Sequence, residues 1–259
     1  MYCQNKQPQK IVEEGKLLFR LEKGSWYGTD DMLSRFNTKK DSVGGYLSYE
    51  TDDHHINTIF FSKFDTDAVL LRYQFDSLPQ PQPIGIDTVN QRATDLEKSL
   101  ISIRQDARDR VYVSNADKFF SFYENTALNF IPLITEKESK VFVLTGTQES
   151  GIVLIGNDYV LNYNKKGAFV KKEQIHKAIL QFAYASENKE NPTTSTLHSH
   201  VVSDYISSTD ICTLLLYKDY VEWKQHIVVS KTHVSIFDLE NESLITMTMK
   251  AWKKLTDSK

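Results

Sequence analysis

His198 and His200 stand two residues apart in the stretch Ser195 to Tyr217, S-T-L-H-S-H-V-V-S-D-Y-I-S-S-T-D-I-C-T-L-L-L-Y. On an extended strand, residues two apart leave the same face, so both imidazoles can address one ion. Asp210 follows ten residues after His200 and three after Ser207. A Ser-x-x-Asp pair ahead of the apolar run Ile211, Leu214, Leu215 and Tyr217 reads as a helix start, with Ser207 as N-cap and Asp210 in the first turn. A strand ending in His-x-His, a polar loop and a carboxylate at a helix start would make a zinc site. Its protein ligands would be His198, His200 and Asp210, with the fourth position open for water. The same residues also have a metal-free reading, in which Ser207 and Asp210 form a capping box and the two histidines sit at an exposed strand end.

The segment resembles the signature of the JAMM/MPN (JAB-domain) metalloisopeptidases: His-x-His, a spacer, then Ser-x-x-Asp, with a catalytic glutamate on an earlier segment. Here the spacer from His200 to Ser207 is six residues, one fewer than the family pattern, and Val201 stands where the family very often has proline. The resemblance implies that Glu149, in E-S-G-I-V-L-I-G, is the general base, with Glu136 and Glu138 as alternatives. It also implies that Ser207 supports the oxyanion, and that the reaction is zinc-dependent hydrolysis of a peptide or isopeptide bond in a protein or peptide substrate. A second implication of the same resemblance is a catalytically inactive MPN-like binding or scaffold module without a functional metal. Read without the family, Glu149 is a charged residue in an exposed turn.

The elements expected to position these residues are α+β: a mixed sheet flanked by helices at roughly 172 to 184 and 208 to 224 in the C-terminal half. A smaller β-rich region precedes it. Ile175, Ala178, Ile179 and Phe182 at helical spacing suggest the first helix. Strands are expected over Tyr46 to Glu50, His55 to Lys63 and Ala68 to Phe75, and again over 111–114, 119–123, 127–134, 140–145, 151–155 and 159–163. A helix is expected over Asp87 to Arg110, a short one over Asp30 to Phe36, and a hairpin over His226 to Asp238. The proline cluster Leu78-Pro79-Gln80-Pro81-Gln82-Pro83 suggests a boundary, dividing the chain into a β-rich region (1–85) and a JAB/MPN-like α+β domain (86–259).

Composition narrows the partners. A net charge of -3 gives no basic excess for neutralising phosphates, which argues against nucleic acid. The start of the chain has no apolar h-region and no apolar run reaches membrane-spanning length, so a cytoplasmic protein without a membrane partner is expected. Cys3 and Cys212 are not expected to pair. His54 and His55 are adjacent and point to opposite sides of a strand, and His226 and His233 have no companions at ligand spacing, so all four read as ordinary strand or surface residues. No residue pattern sets an oligomeric state.

Overall fold

In the computed structural model, which describes residues 6–184 and 193–257, the chain opens with one long helix, α1 (Lys6–Arg35). This corrects the expectation of a β-rich start with only a short helix over Asp30 to Phe36. Gly15, Gly24 and Gly28 interrupt the helical pattern in the sequence, yet all three lie buried along α1. A mid-helix glycine costs about 1 kcal/mol relative to alanine. At Gly15 the absence of a side chain permits a close approach, because a Cβ there would stand 2.7 Å from the Cβ of Ile211.

After a 3-10 turn (Asn37–Ser42), β1 (Val43–Glu50), β2 (Ile56–Ser62) and β3 (Ala68–Phe75) form the expected antiparallel meander, edged by β4 (Gly85–Asp87) and β5 (Gln91–Arg92). Helix α2 (Asp95–Tyr112) begins at a complete capping box between Thr94 and Glu97 and ends inside the 111–114 segment expected to be a strand, the rest of which is turn. Residues 119–123 are not a strand either; Phe119 and Phe120 pack their rings against Tyr159 instead. The second sheet has the order β10-β9-β7-β6, from β6 (Thr126–Ile134), β7 (Ser139–Thr147), β9 (Tyr159–Tyr163) and β10 (Phe169–Gln174). Beside it, β8 (Ile152–Gly156) pairs antiparallel with β11 (Ile179–Ala183). The helix expected at 172 to 184 is therefore two strands, β10 and β11, joined by a loop. Pairing of β11 along the whole of β8 overrides the weak helical spacing of its apolar residues.

The last unit runs β12 (Ser195–Ser199), α3 (Ser208–Tyr217), β13 (Gln225–Val229), β14 (His233–Asp238), β15 (Ser243–Thr248) and α4 (Met249–Thr256). Its helix stops at Tyr217, short of the expected 224. Strands β12 and β13 are parallel, and α3 is the crossover such a pair requires. With antiparallel pairs dominating the remainder, the class is α+β. The main core draws Leu18 of α1, Phe60 of β2, Tyr73 of β3, Phe142 of β7, Val153 of β8, Leu214 of α3 and Phe237 of β14 into one cluster. The residues on either side of position 85 thus share one interior. Among the described residues no helix is long and apolar enough to cross a membrane. Cys212 is buried with a free thiol, and Cys3 lies outside the described residues.

One buried charge on α1 gives a measurable pH dependence. Burial raises the Glu22 carboxyl to about 7, against the pull of Arg104 in the other direction. The folded state therefore holds this proton after the unfolded chain has released it. The resulting stability is full below the ordinary value of 4.5 and is lost as pH rises through about 7. Glu22→Gln should raise stability by about 2–3 kcal/mol more at about pH 8 than at about pH 5. Urea unfolding at the two pH values checks it, and an equal gain at both would count against this assignment.

Candidate metal centre

The β12–α3–β13 unit brings the two halves of the sequence motif together. Side chains along β12 alternate between exposed and buried, so Thr196 and His198 face inward with His200 just beyond the strand. The backbone N–H of His200 donates to Val229 O at 2.8 Å, which extends the parallel ladder by one residue and fixes that imidazole. The short loop to α3 is held by neighbours: Ile206 N donates to Ser235 Oγ (3.2 Å), and Ser230 Oγ donates to Asp204 O (2.9 Å). Ser207 caps α3 by accepting from Asp210 N (3.0 Å), while Asp210 Oδ2 accepts from Ser207 N (2.8 Å). The capping box read from the sequence is present, and it aims the buried Asp210 carboxylate at the histidines.

The structure adds a fourth group. His176, in the loop between β10 and β11, joins His198, His200 and Asp210 in a buried cluster whose donor atoms all lie within 4.8 Å of one another. His176 Nε2 is 3.0 Å from Asp210 Oδ1 and 3.1 Å from His200 Nε2. Asp210 Oδ1 is 3.8 Å from His198 Nε2, and Asp210 Oδ2 is 3.2 Å from His200 Nε2. Ligands about 2.0–2.1 Å from a tetrahedral ion are separated by roughly 3.3–3.4 Å, so the observed spacings bracket what one ion requires. His198 Nε2 is buried without a hydrogen-bond partner, a costly state for a lone pair that an ion would relieve, and Asp210 Oδ1 has no aligned hydrogen bond beyond its charge contact with His176.

Each imidazole also has a polar group behind it. His200 Nδ1 lies 2.8 Å from the carbonyl of Tyr205 and 2.8 Å from Ser203 Oγ; since a carbonyl only accepts, the ring donates from Nδ1 and leaves its Nε2 lone pair toward the cluster. His198 Nδ1 is 2.7 Å from His226 Nε2, and His226 Nδ1 is 2.7 Å from Thr196 Oγ1, a relay consistent with the same tautomer at His198. Behind His176, Asp158 Oδ2 lies 3.3 Å from Nδ1, too poorly aligned for a hydrogen bond but close enough for charge attraction. Asp158 is in turn held by Thr145 N (3.0 Å). Such partners orient ligating histidines and raise their basicity.

The protonation states follow from burial and from the carboxylates. Burial works against charge on His176, but Asp210 and Asp158 outweigh it and hold its pKa at about 10. Burial lowers His198 to about 4, despite the attraction of Asp210. His226, buried behind His198, falls to about 3 for the same first reason. Burial would raise Asp210, yet its histidine neighbours hold it well below the ordinary carboxylate range. The cluster thus offers an ionised carboxylate, a neutral His198 and a protonated His176, and an ion binding there would compete with the proton on His176.

The other residues singled out in the sequence lie elsewhere. Glu149 is exposed in the turn between β7 and β8, where its Oε1 accepts from Asn125 Nδ2, and it is not one of the clustered groups. Glu136 and Glu138 occupy the β6–β7 turn, and Glu138 pairs with Lys140 at 2.7 Å. Ser207 serves as the cap, its Oγ also 3.0 Å from Thr209 Oγ1. His226 is a strand residue, as expected, but a buried one that supports a clustered histidine. His54 is exposed beside Glu50, His55 is half-buried beside Asp53, and His233 sits near the Tyr205 hydroxyl. No sequence signal marks His176, because it falls inside the helix expected at 172 to 184 and no ligand spacing links it to position 198. A cavity of about 190 Å³ reaches the cluster, lined by His176, His198 and His200 together with Gly156 and Leu180. Compared with protein-family models, with curated proteins and with solved structures, the chain finds no match in any of the three, and the chemistry of the site rests on its own geometry.

Proposed function

We propose that this protein is a metal-dependent binding module that holds one zinc ion through His176, His198, His200 and Asp210. The observation that carries the reading is the convergence of four buried donors, with His198 Nε2 unpartnered among them. Three imidazoles and a carboxylate, with no thiolate, suit zinc among the borderline ions, and four protein ligands are the mark of structural rather than catalytic sites. Held this way, the ion would tie the β10–β11 loop, the end of β12 and the start of α3 to one another.

A second reading, hydrolysis of peptide or isopeptide bonds, is favoured by the cavity at the three histidines, which gives a small group access to the cluster. Zinc in such a site supplies a water acidified toward neutrality. That reading needs an open coordination position and a proton acceptor other than Glu149, which the fold leaves in its exposed turn.

Elemental analysis of purified protein, with zinc titration of variants, separates the readings. The expected result is about one zinc per chain, retained by Glu149→Gln. His176→Ala should weaken zinc binding by more than the ~10–100-fold typical of groups that merely support a ligand. Protein that takes up no zinc would defeat both readings. A His176→Ala variant that keeps full affinity and cleaves an isopeptide substrate would favour the hydrolase.

A further inference from the structure

Lys16, Phe19, Arg20, Lys23 and Tyr27 recur at helical spacing and share one face of α1. That face lines a cavity of about 460 Å³, closed by Leu78 and Pro79 on one side and by Lys218, Asp219 and Glu242 on the other. Its volume falls in the range of small-molecule sites, roughly 300–1,000 Å³.

Every cation of the lining except Lys23 contacts a carboxylate. Lys16 and Lys218 both reach Glu242, at 3.2 and 2.6 Å, and Arg20 pairs with Glu50 at 2.7 Å. Lys23 is only 8% exposed, and among the described residues its ammonium makes no hydrogen bond or ion pair. It lies instead 5.9, 5.7 and 5.3 Å from the ring centres of Phe19, Trp26 and Tyr27. The buried stem is flanked by these aromatic faces, while Nζ is not among the fully buried polar atoms left without a partner, so the ammonium keeps an opening onto the cavity where an anion can reach it.

We infer that this cavity binds a small carboxylate bearing an apolar tail or ring, with its head on Lys23 and its body against Phe19, Tyr27, Leu78 and Pro79. One unmatched ammonium suits a monoanion. A phosphate dianion would call for a second free cation and would meet the acidic side chains of Glu13 and Asp219 in the same lining.

Octanoate, with octanol as its uncharged counterpart, tests the assignment by calorimetric titration of the full chain. Octanoate should bind at about one site per chain and at least about tenfold more tightly than octanol, the difference expected of a charge-assisted contact. Lys23→Met should abolish that preference while melting no lower than wild type, because among the described residues the ammonium has no hydrogen bond or ion pair to lose and methionine keeps the apolar stem. Leu78→Glu, on the opposite wall, should weaken octanoate binding by about tenfold through like-charge repulsion without altering α1. Inorganic phosphate should not displace octanoate. The inference is overturned if octanol binds as tightly as octanoate, if both variants bind octanoate as wild type does, or if phosphate displaces it.

Discussion

With zinc held by the four donors as proposed, its removal by a chelator is expected to lower the melting temperature of this protein by roughly 8–16 °C. The figure follows from linkage: a ligand that binds only the folded state at about 1,000 times its Kd contributes about 4 kcal/mol. A chain of this size melts roughly 2–4 °C lower per kcal/mol lost. The effect should be this large because the four donors belong to three separate pieces of chain, which the ion would hold together. Asp210→Asn should melt at one temperature with or without chelator. An asparagine can still accept from Ser207 N, so most of the cap survives, and the helix-start dipole interaction accounts for only about 0.5–1 kcal/mol. Coincident melts of zinc-loaded wild type with and without chelator would leave a capped helix beside three buried histidines.

Gly156→Ala should be the most damaging single-methyl change near the site, costing about 3 kcal/mol or more. Gly156 ends β8 with φ +113°, a left-handed conformation that disfavours side chains, and a Cβ there would stand 2.2 Å from the carbonyl oxygen of Ala178. That carbonyl accepts from Asn157 N at 3.0 Å, so moving it breaks a hydrogen bond as well as straining the turn. Ala178 lies two residues after His176, so the displacement should also weaken zinc binding. Gly151→Ala is the matched control. Gly151 has φ +85° but nothing within 4 Å of its Cβ position, so only the conformational strain of about 1 kcal/mol applies. Urea denaturation of the two variants measures the difference, and equal losses would show that the approach of Ala178 does not matter.

Three of the four clustered donors could be read from residue order because they depend on local geometry. The period of two along β12 places His198 and His200 on one side, and the Ser207–Asp210 box sets the start of α3, whatever the rest of the chain does. The meander β1–β2–β3, the run β6 to β9 and the hairpin β13–β14 were legible for the same reason: apolar alternation between turn residues is a short-range signal.

Long-range packing decided the remainder. Helix α1 survives its glycines because Gly15 meets Ile211 nearly two hundred residues away, a contact that propensity cannot register. The segment 169–183 became two strands because β9 and β8 offered open edges to pair with, and the loop between those strands delivered His176 to the cluster. The same pairing left Glu149 in an outward turn. Residue order alone determined the strand and helix start that hold His198, His200 and Asp210, since those depend on neighbours two to three positions away. The fourth donor, the supporting groups Asp158 and His226, and the unmatched Lys23 were decided only by the tertiary structure, because each owes its role to a partner brought near by sheet pairing or helix packing.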